Sequence, residues 1–232
     1  MAWMGAIPLP QEIEYPYSDG QPMGESDLHI QEMVYLLEAF RERFRTLADV
    51  YVAANMFFYF EQGNRAACVA PDLFVVRGTD KRERKSYLLW REGGRIPCLT
   101  VEVTSEGTQE EDLGRKKRLY EQLGVEEYFL FDPLGEYLRP RLQGFRLIDG
   151  RYRRIEPAAD GSLTSRTTGV ILRPEGIRIR LIDHATGEVF LRNDELHDQV
   201  KELRAGEERT RARLEAAEEE LALLRAELAR KS

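Results

Sequence analysis

The stretch LTVEVTSEGTQEEDLGRKKRLYEQLGVEEYFLFDP, residues 99–133, limits what this chain can fold into more than any other segment. A β-branched run at 99–104 leads into a segment of helical period near 109–123 and then an aromatic-rich run near 127–131. The spacing predicts strand, helix and strand. That order within about thirty-five residues is a βαβ unit, whose strands lie parallel with a right-handed crossover. The predicted fold class is therefore α/β.

The unit places charge where a packed layer should be apolar. Thr108 followed by Glu111 has the form of a capping box, and Gly124 suits the left-handed position beyond the helix. At about 100° per residue, Leu113, Leu119, Tyr120 and Leu123 form an apolar arc. Lys116 lies at its middle with Asp112 close by, Lys117 falls at the edge, and Arg115 and Arg118 point away. Along the first strand, Leu99, Val101 and Val103 share one face, and Thr100, Glu102 and Thr104 share the other. A buried lone ammonium or carboxylate costs several kcal/mol unless it is paired or binds an ion. Glu102, Asp112 and Lys116 thus require partners or a task.

Upstream, residues 1–25 are rich in Pro and Gly and read as an extended arm. Ser26 or Asp27 can cap a first helix, in which Ile30, Val34, Leu37, Phe40 and Phe44 recur at helical spacing. Val50 to Glu61, the turn Gln62-Gly63-Asn64 and Cys68 to Val76 read as a β-hairpin. Pro71-Asp72 interrupts its second arm; proline cannot donate to a central ladder, so the position suggests an edge or bulge that aims a side chain. Asp72 and Glu102 can then converge. Two carboxylates with water form a hard oxygen site suited to Mg²⁺ or Mn²⁺, whereas the clusters of Cys and His that zinc needs are absent from the sequence. A lysine beside such a metal can orient or deprotonate water and stabilise charge on a phosphate. These parts fit metal-assisted phosphodiester hydrolysis.

Taken together, Pro71-Asp72, Glu102-Val103-Thr104-Ser105, Asp112, Lys116 and Tyr120 at four-residue spacing, Gly124-Val125, Glu127-Tyr128 and Asp132-Pro133 resemble the Uma-two-type restriction endonucleases of the PD-(D/E)XK nuclease superfamily. The resemblance covers roughly residues 25 to 193. It implies a restriction-endonuclease-like core with a mixed central sheet flanked by helices. It also implies a divalent metal held by Asp72 and Glu102, with Lys116 as the catalytic lysine; in an endonuclease of this kind Asp112 is expected to orient or balance Lys116. The superfamily pattern would put the lysine two residues after the glutamate, where this chain has Thr104. Migration of the lysine to the following helix is what the resemblance implies here.

Each residue also has a plainer role. Asp72 can accept backbone bonds after a proline turn, and Glu102, Asp112 and Lys116 can form an internal salt-bridge cluster. Tyr120 reads as packing and Asp132 as a strand stop. Glu38 can approach the site or simply pair along its helix, while His29, His184 and His197 show no ligand spacing. The basic loop carrying Lys81, Arg82, Arg84, Lys85 and Arg91, with Tyr87 and Trp90, reads as a solvated loop or a grip on nucleic acid. Arg139, Arg141, Arg146, Arg151, Arg153 and Arg154 form a second basic zone on predicted β-hairpins that complete a domain over 26–193.

A net charge of −7 argues against indiscriminate coating of nucleic acid and leaves a local DNA-binding surface possible. Cys68 and Cys98 form no metal or disulfide motif, and the sequence lacks a signal-like start or an apolar run of about 20 residues, so a cytoplasmic protein with no membrane partner is expected. The tail, 194–232, carries heptads with Leu196, Leu203, Thr210, Ala217 and Leu224 at d, and Val200, Glu207, Leu214, Leu221 and Leu228 at a. Arg213 would face Glu218 and Glu220 would face Arg225 in a parallel dimer. A homodimer through residues 196–228 is expected, with Gly206 weakening the first half. Two function classes follow: a Mg²⁺-dependent DNA endonuclease, or a catalytically inactive nucleic-acid-binding or scaffold protein on the same fold.

Overall fold

The βαβ unit stands at the centre of a six-stranded sheet in the computed structural model, which describes residues 13–17 and 26–231. Apart from residues 13–17, the arm expected over 1–25 lies outside the described residues. Helix α1 (Asp27–Arg43) is followed by β1 (Val50–Ala53), β2 (Phe58–Tyr59), β3 (Cys68–Val69), β4 (Leu73–Arg77), β5 (Tyr87–Leu88) and β6 (Leu99–Val103). Next come α2 (Gln109–Glu111), a π-helical turn (Asp112–Lys116), α3 (Lys117–Leu123), β7 (Glu127–Phe131), β8 (Leu142–Ile148) and β9 (Arg151–Arg154). Strands β10 (Leu163–Ser165), β11 (Val170–Glu175) and β12 (Arg178–Asp183) form a separate antiparallel sheet.

The main sheet has the order β1-β4-β6-β7-β8-β9. Only β6 and β7 are parallel, with Leu99 beside Glu127 and Val103 beside Phe131. All other pairs in this sheet are antiparallel, so the sheet is mixed. The first of the anticipated C-terminal hairpins, β8–β9, extends the central sheet. Apolar residues cover both faces, which is why β6 and β7 are buried throughout. Leu99, Val101 and Val103 pack with Leu36, Phe40 and β10–β12, while Phe74, Tyr128 and Leu130 pack with Tyr120, Phe58 and Tyr87 on the other side.

The predicted hairpin is present but divided between two sheets. Its base, β1 with β4, belongs to the main sheet; its outer part, β2 with β3, joins β5 in a three-stranded satellite sheet. Pro71 and Asp72 sit at the break.

Three local expectations need correction. On α1 the buried stripe is His29, Glu32, Tyr35, Leu36, Ala39 and Phe40, while Ile30 and Val34 are exposed. Two polar residues with tertiary partners take inward positions: Glu32 accepts a 2.8 Å bond from the Ile179 N–H, and His29 faces Asp72. Leu113 is exposed because the π-helical turn fits an extra residue into its loop and changes which residues face the sheet. The capping box does not form. Thr108 is already helical, its Oγ1 instead accepts from the Ser105 N–H at 3.1 Å, and Glu111 pairs with Arg115. The other helix ends match the sequence: Ser26 accepts from the His29 N–H, and Gly124 takes a left-handed φ of 89°.

The C-terminal unit, 191–232, is one helix, α4 (Asn193–Lys231). It runs unbroken through Gly206, whose carbonyl accepts from Thr210 Oγ1 at 2.9 Å. Leu196, Val200, Leu203, Leu214, Leu221, Leu224 and Leu228 of the heptad pattern are exposed. Among the described residues no helix is long and apolar enough to cross a membrane.

Candidate active site

Strand register brings the two metal-ligand candidates together. Leu73 lies opposite Val101, so one residue further along the antiparallel pair Asp72 meets Glu102. The two are then joined by reciprocal bonds from backbone to carboxylate. The Val103 N–H donates to Asp72 Oδ2 at 2.7 Å, and the Asp72 N–H donates to Glu102 Oε2 at 3.3 Å. The break in the hairpin therefore holds Asp72 at the carboxyl end of β6, the end at which open α/β sheets present their ligands.

The helical layer supplies the remaining charges. Asp112 opens the π-helical turn and Lys116 closes it; both are buried. Lys116 Nζ lies 2.9 Å from Glu102 Oε2 and 2.9 Å from Asp112 Oδ1. Asp72, Glu102, Asp112 and Lys116 thus form one cluster. Lys117 turns aside, its ammonium 3.5 Å from the centre of the Phe145 ring.

Sequence reasoning passed over two members of this cluster. Tyr120, one helical turn beyond Lys116, donates its phenol to Glu102 Oε1 at 2.8 Å. His29 reaches in from α1, with Nε2 3.3 Å from Asp72 Oδ1. The signal for Tyr120 was its four-residue spacing from Lys116. For His29 it was the helical spacing His29-Glu32-Leu36, which is obscured because two of the three are polar. Glu38 is exposed, and Asp132 gives its carboxylate to the N–H groups of Gly135, Tyr137 and Leu138.

The electrostatics follow from burial. Desolvation raises the Glu102 pKa, Lys116 opposes that, and the Asp72 and Asp112 charges reinforce it, leaving Glu102 above the usual glutamate range. Asp112 is raised by the same desolvation against the pull of Lys116. Burial alone would lower Lys116, but Glu102, Asp112 and Asp72 outweigh it and push the ammonium above its ordinary value. Burial and the neighbouring Glu102 keep the Tyr120 phenol protonated as a donor. Two carboxylates therefore pair with one firmly held cation, and the charge of a third, Asp72, acts on it from nearby.

Part of the basic loop is engaged within the fold, while Lys85 and Arg91 are exposed. Arg84 is buried over the Tyr51 ring and, with Arg82, is bound by Glu92 and Asp80. Lys81 donates to the Phe44 and Arg45 carbonyls beyond α1, and Tyr87 is fully buried in β5.

A mixed α/β sheet with buried carboxylates and a lysine at one strand end has the make-up of a hydrolase of the restriction-endonuclease class. Residues 5–173 match the Uma2 family, described as "Putative restriction endonuclease", and the chain belongs to that family. Among solved structures, the chain is similar to "a putative nuclease belonging to DUF820" from Anabaena variabilis ATCC 29413. The TM-score is 0.45 at 14% identity, over 66% of this chain and 81% of that one. No curated protein matches the chain.

Proposed function

We propose that this protein is an endonuclease that hydrolyses phosphodiester bonds in DNA with a divalent metal, Mg²⁺ or Mn²⁺. The observation that carries the reading is the interlocked pair Asp72–Glu102 with Lys116 Nζ 2.9 Å from Glu102 Oε2. A purely structural ion pair needs one carboxylate per ammonium, whereas here Glu102 and Asp112 both pair with Lys116, and Asp72, itself against His29, adds its charge beside them. The excess negative charge fits a divalent cation.

The donor set fits as well. Asp72 and Glu102 would hold the metal through hard oxygens as a pair, since among the described residues no group of three or more His, Cys, Asp or Glu is placed to hold a metal ion. One or two carboxylates, with water and substrate phosphate filling the remaining positions, is the usual arrangement for Mg²⁺. When bound, the metal supplies Lewis acidity at a phosphate oxygen and a lowered pKa for water. Lys116, its pKa raised, acts as a donor: it orients the attacking water and stabilises charge building on the phosphate. Asp112 keeps that ammonium in place, and Tyr120 fixes the second oxygen of Glu102.

The deciding experiment is cleavage of supercoiled plasmid with Mg²⁺, Mn²⁺ or EDTA, comparing wild type with Asp72→Asn and Lys116→Ala at matched folding. Metal-dependent nicking lost in both variants is expected. DNA binding that is indifferent to metal and to Asp72→Asn, without cleavage, would instead establish the binding or scaffold role. The exposed heptad leucines of α4 support a homodimer through residues 196–228, which would let two centres cut both strands of a duplex. A chain ending near 193 should be monomeric and should nick rather than cut.

A further inference from the structure

The basic loop after β4 has a cavity on each side of it. One, of ≈ 470 Å³, lies between the loop and residues 13–17, and its lining includes Tyr17, Arg82, Arg84, Lys85 and Arg91. The other, of ≈ 310 Å³, lies between the loop and the end of α1, and its lining includes Arg41, Arg45, Tyr51 and Lys81. The two meet at Arg84 and Tyr51, one in each lining, where the guanidinium carbon stands 4.3 Å from the ring centre. Together they make one trough with cations along both halves.

Some of these cations are answered within the fold. Glu92 and Asp80 hold Arg82 and Arg84, and Glu42 lies 3.0 Å from Arg45. Arg41, Lys81 and Lys85 are exposed, and among the described residues none of the three pairs with a carboxylate. Lys81 donates to the Phe44 and Arg45 carbonyls at 2.7 and 3.1 Å, which fixes its ammonium at the trough, and Lys85 lies 5.3 Å from the centre of the Tyr17 ring. Among the described residues, Glu14 is the one exposed carboxylate in either lining. In a chain of net charge −7, this local surplus is where an anion is drawn.

The layout selects the kind of anion. A small ion needs one cavity, whereas three such cations spread over two cavities suit a ligand that carries charge at intervals. Helix α1 ties the trough to the proposed site: His29, in its first turn, lies against Asp72, and Arg41 follows twelve residues later, about 18 Å along the axis. That span is about five base steps of duplex DNA at roughly 3.4 Å each. We infer that the trough grips the sugar–phosphate backbone of DNA flanking the bond that Asp72 and Glu102 address. The inference rests on the nuclease reading and adds where the substrate is held: by its phosphates, away from the carboxylates, with no base read.

The test uses the full chain and a short fluorescent DNA duplex in EDTA, with binding followed by anisotropy across a range of salt. Changing Arg41→Gln and Lys85→Gln together should lower the slope of log affinity against log salt by about 2, and weaken binding at low salt by more than about tenfold. The conservative pair Arg41→Lys and Lys85→Arg should bind like wild type. Arg153→Gln, exposed on the edge strand β9 and outside both linings, should leave the slope unchanged. An unchanged slope in the glutamine pair overturns the inference, as does an equal loss in the conservative pair, a loss of about 1 in Arg153→Gln, or no binding by wild type. Displacement of the duplex by poly-glutamate at matched charge also overturns it, in favour of an acidic protein partner. Plasmid cleavage by wild type with an unchanged slope in the glutamine pair would sink the trough and leave the nuclease. Selective loss of slope in a chain that never cleaves would sink the nuclease and leave the trough.

Discussion

Glu102 and Glu127 lie on adjacent parallel strands, and both are fully buried, yet their surroundings oppose each other. Glu127 is answered from every side. Arg146 lies 2.7 Å away, the Ser165 and Thr167 hydroxyls donate at 2.6 and 2.8 Å, and the Arg166 and Thr167 N–H groups complete the shell. Burial works to raise its pKa, but these bonds outweigh it and hold Glu127 below the usual range. Glu102 shares one ammonium with Asp112, lies beside the Asp72 charge, and is left above that range. Both carboxylates are fully hydrogen-bonded, Glu102 by Lys116, Tyr120 and the Asp72 N–H, but only Glu102 shares its cation with a second carboxylate, and the proposed catalytic role rests on that imbalance.

The strongest test of that contrast is Glu102→Gln. Removing one of three crowded charges should raise the melting temperature of the metal-free protein by about 3 °C, corresponding to about 1 kcal/mol. Metal-dependent cleavage should fall by more than about 100-fold. Calorimetry and plasmid nicking on the same preparation would break the comparison if both quantities fell. Glu127→Ala should do the reverse, costing about 3 kcal/mol in urea unfolding by stranding Arg146 and two hydroxyls. Its cleavage rate per folded molecule should stay near that of wild type.

Acid titration sharpens the same contrast through its sign. The Glu127 pKa is depressed, so its contribution is fully present above the ordinary value of 4.5 and is lost as pH falls through its lower folded value. Glu127→Gln should flatten that acid limb. The Glu102 pKa is raised, so the metal-free protein should lose stability as pH climbs from 4.5 through the raised value. Glu102→Gln should remove that decline. The smallest effect is expected at His29, which lies against Asp72: His29→Ala should weaken Mg²⁺ binding by about tenfold, read by isothermal titration.

The local layout of the centre was legible because it lies within one short segment. Alternation in β6 gave the face of Glu102, and four-residue spacing gave the inward turn of Asp112 and Lys116. The proline break at Pro71-Asp72 suggested that Asp72 converges on Glu102, and family resemblance added the metal-ligand role of the pair. What could not be read was set by distant partners. Glu127 meets Ser165 and Thr167 38 and 40 residues away, and Glu32 meets Ile179 across 147 residues. No periodicity records such meetings, and a polar residue on a buried face looks like a solvent-facing one. The π-helical turn was hidden for a different reason. Leu113 was assigned inward by a wheel that assumes a uniform pitch, which the turn at Asp112–Lys116 departs from.

The division of the first hairpin also bears on how the protein can be altered. Its base is built into the sheet that carries the catalytic candidates, whereas its tip, residues 61–66, is exposed beyond the break at Pro71. Extra sequence spliced into the tip adds length outside the hinge and leaves the register of Leu73 with Val101 untouched. The tip is thus a natural graft point, where a targeting module or reporter can be inserted while the geometry at Asp72 is preserved.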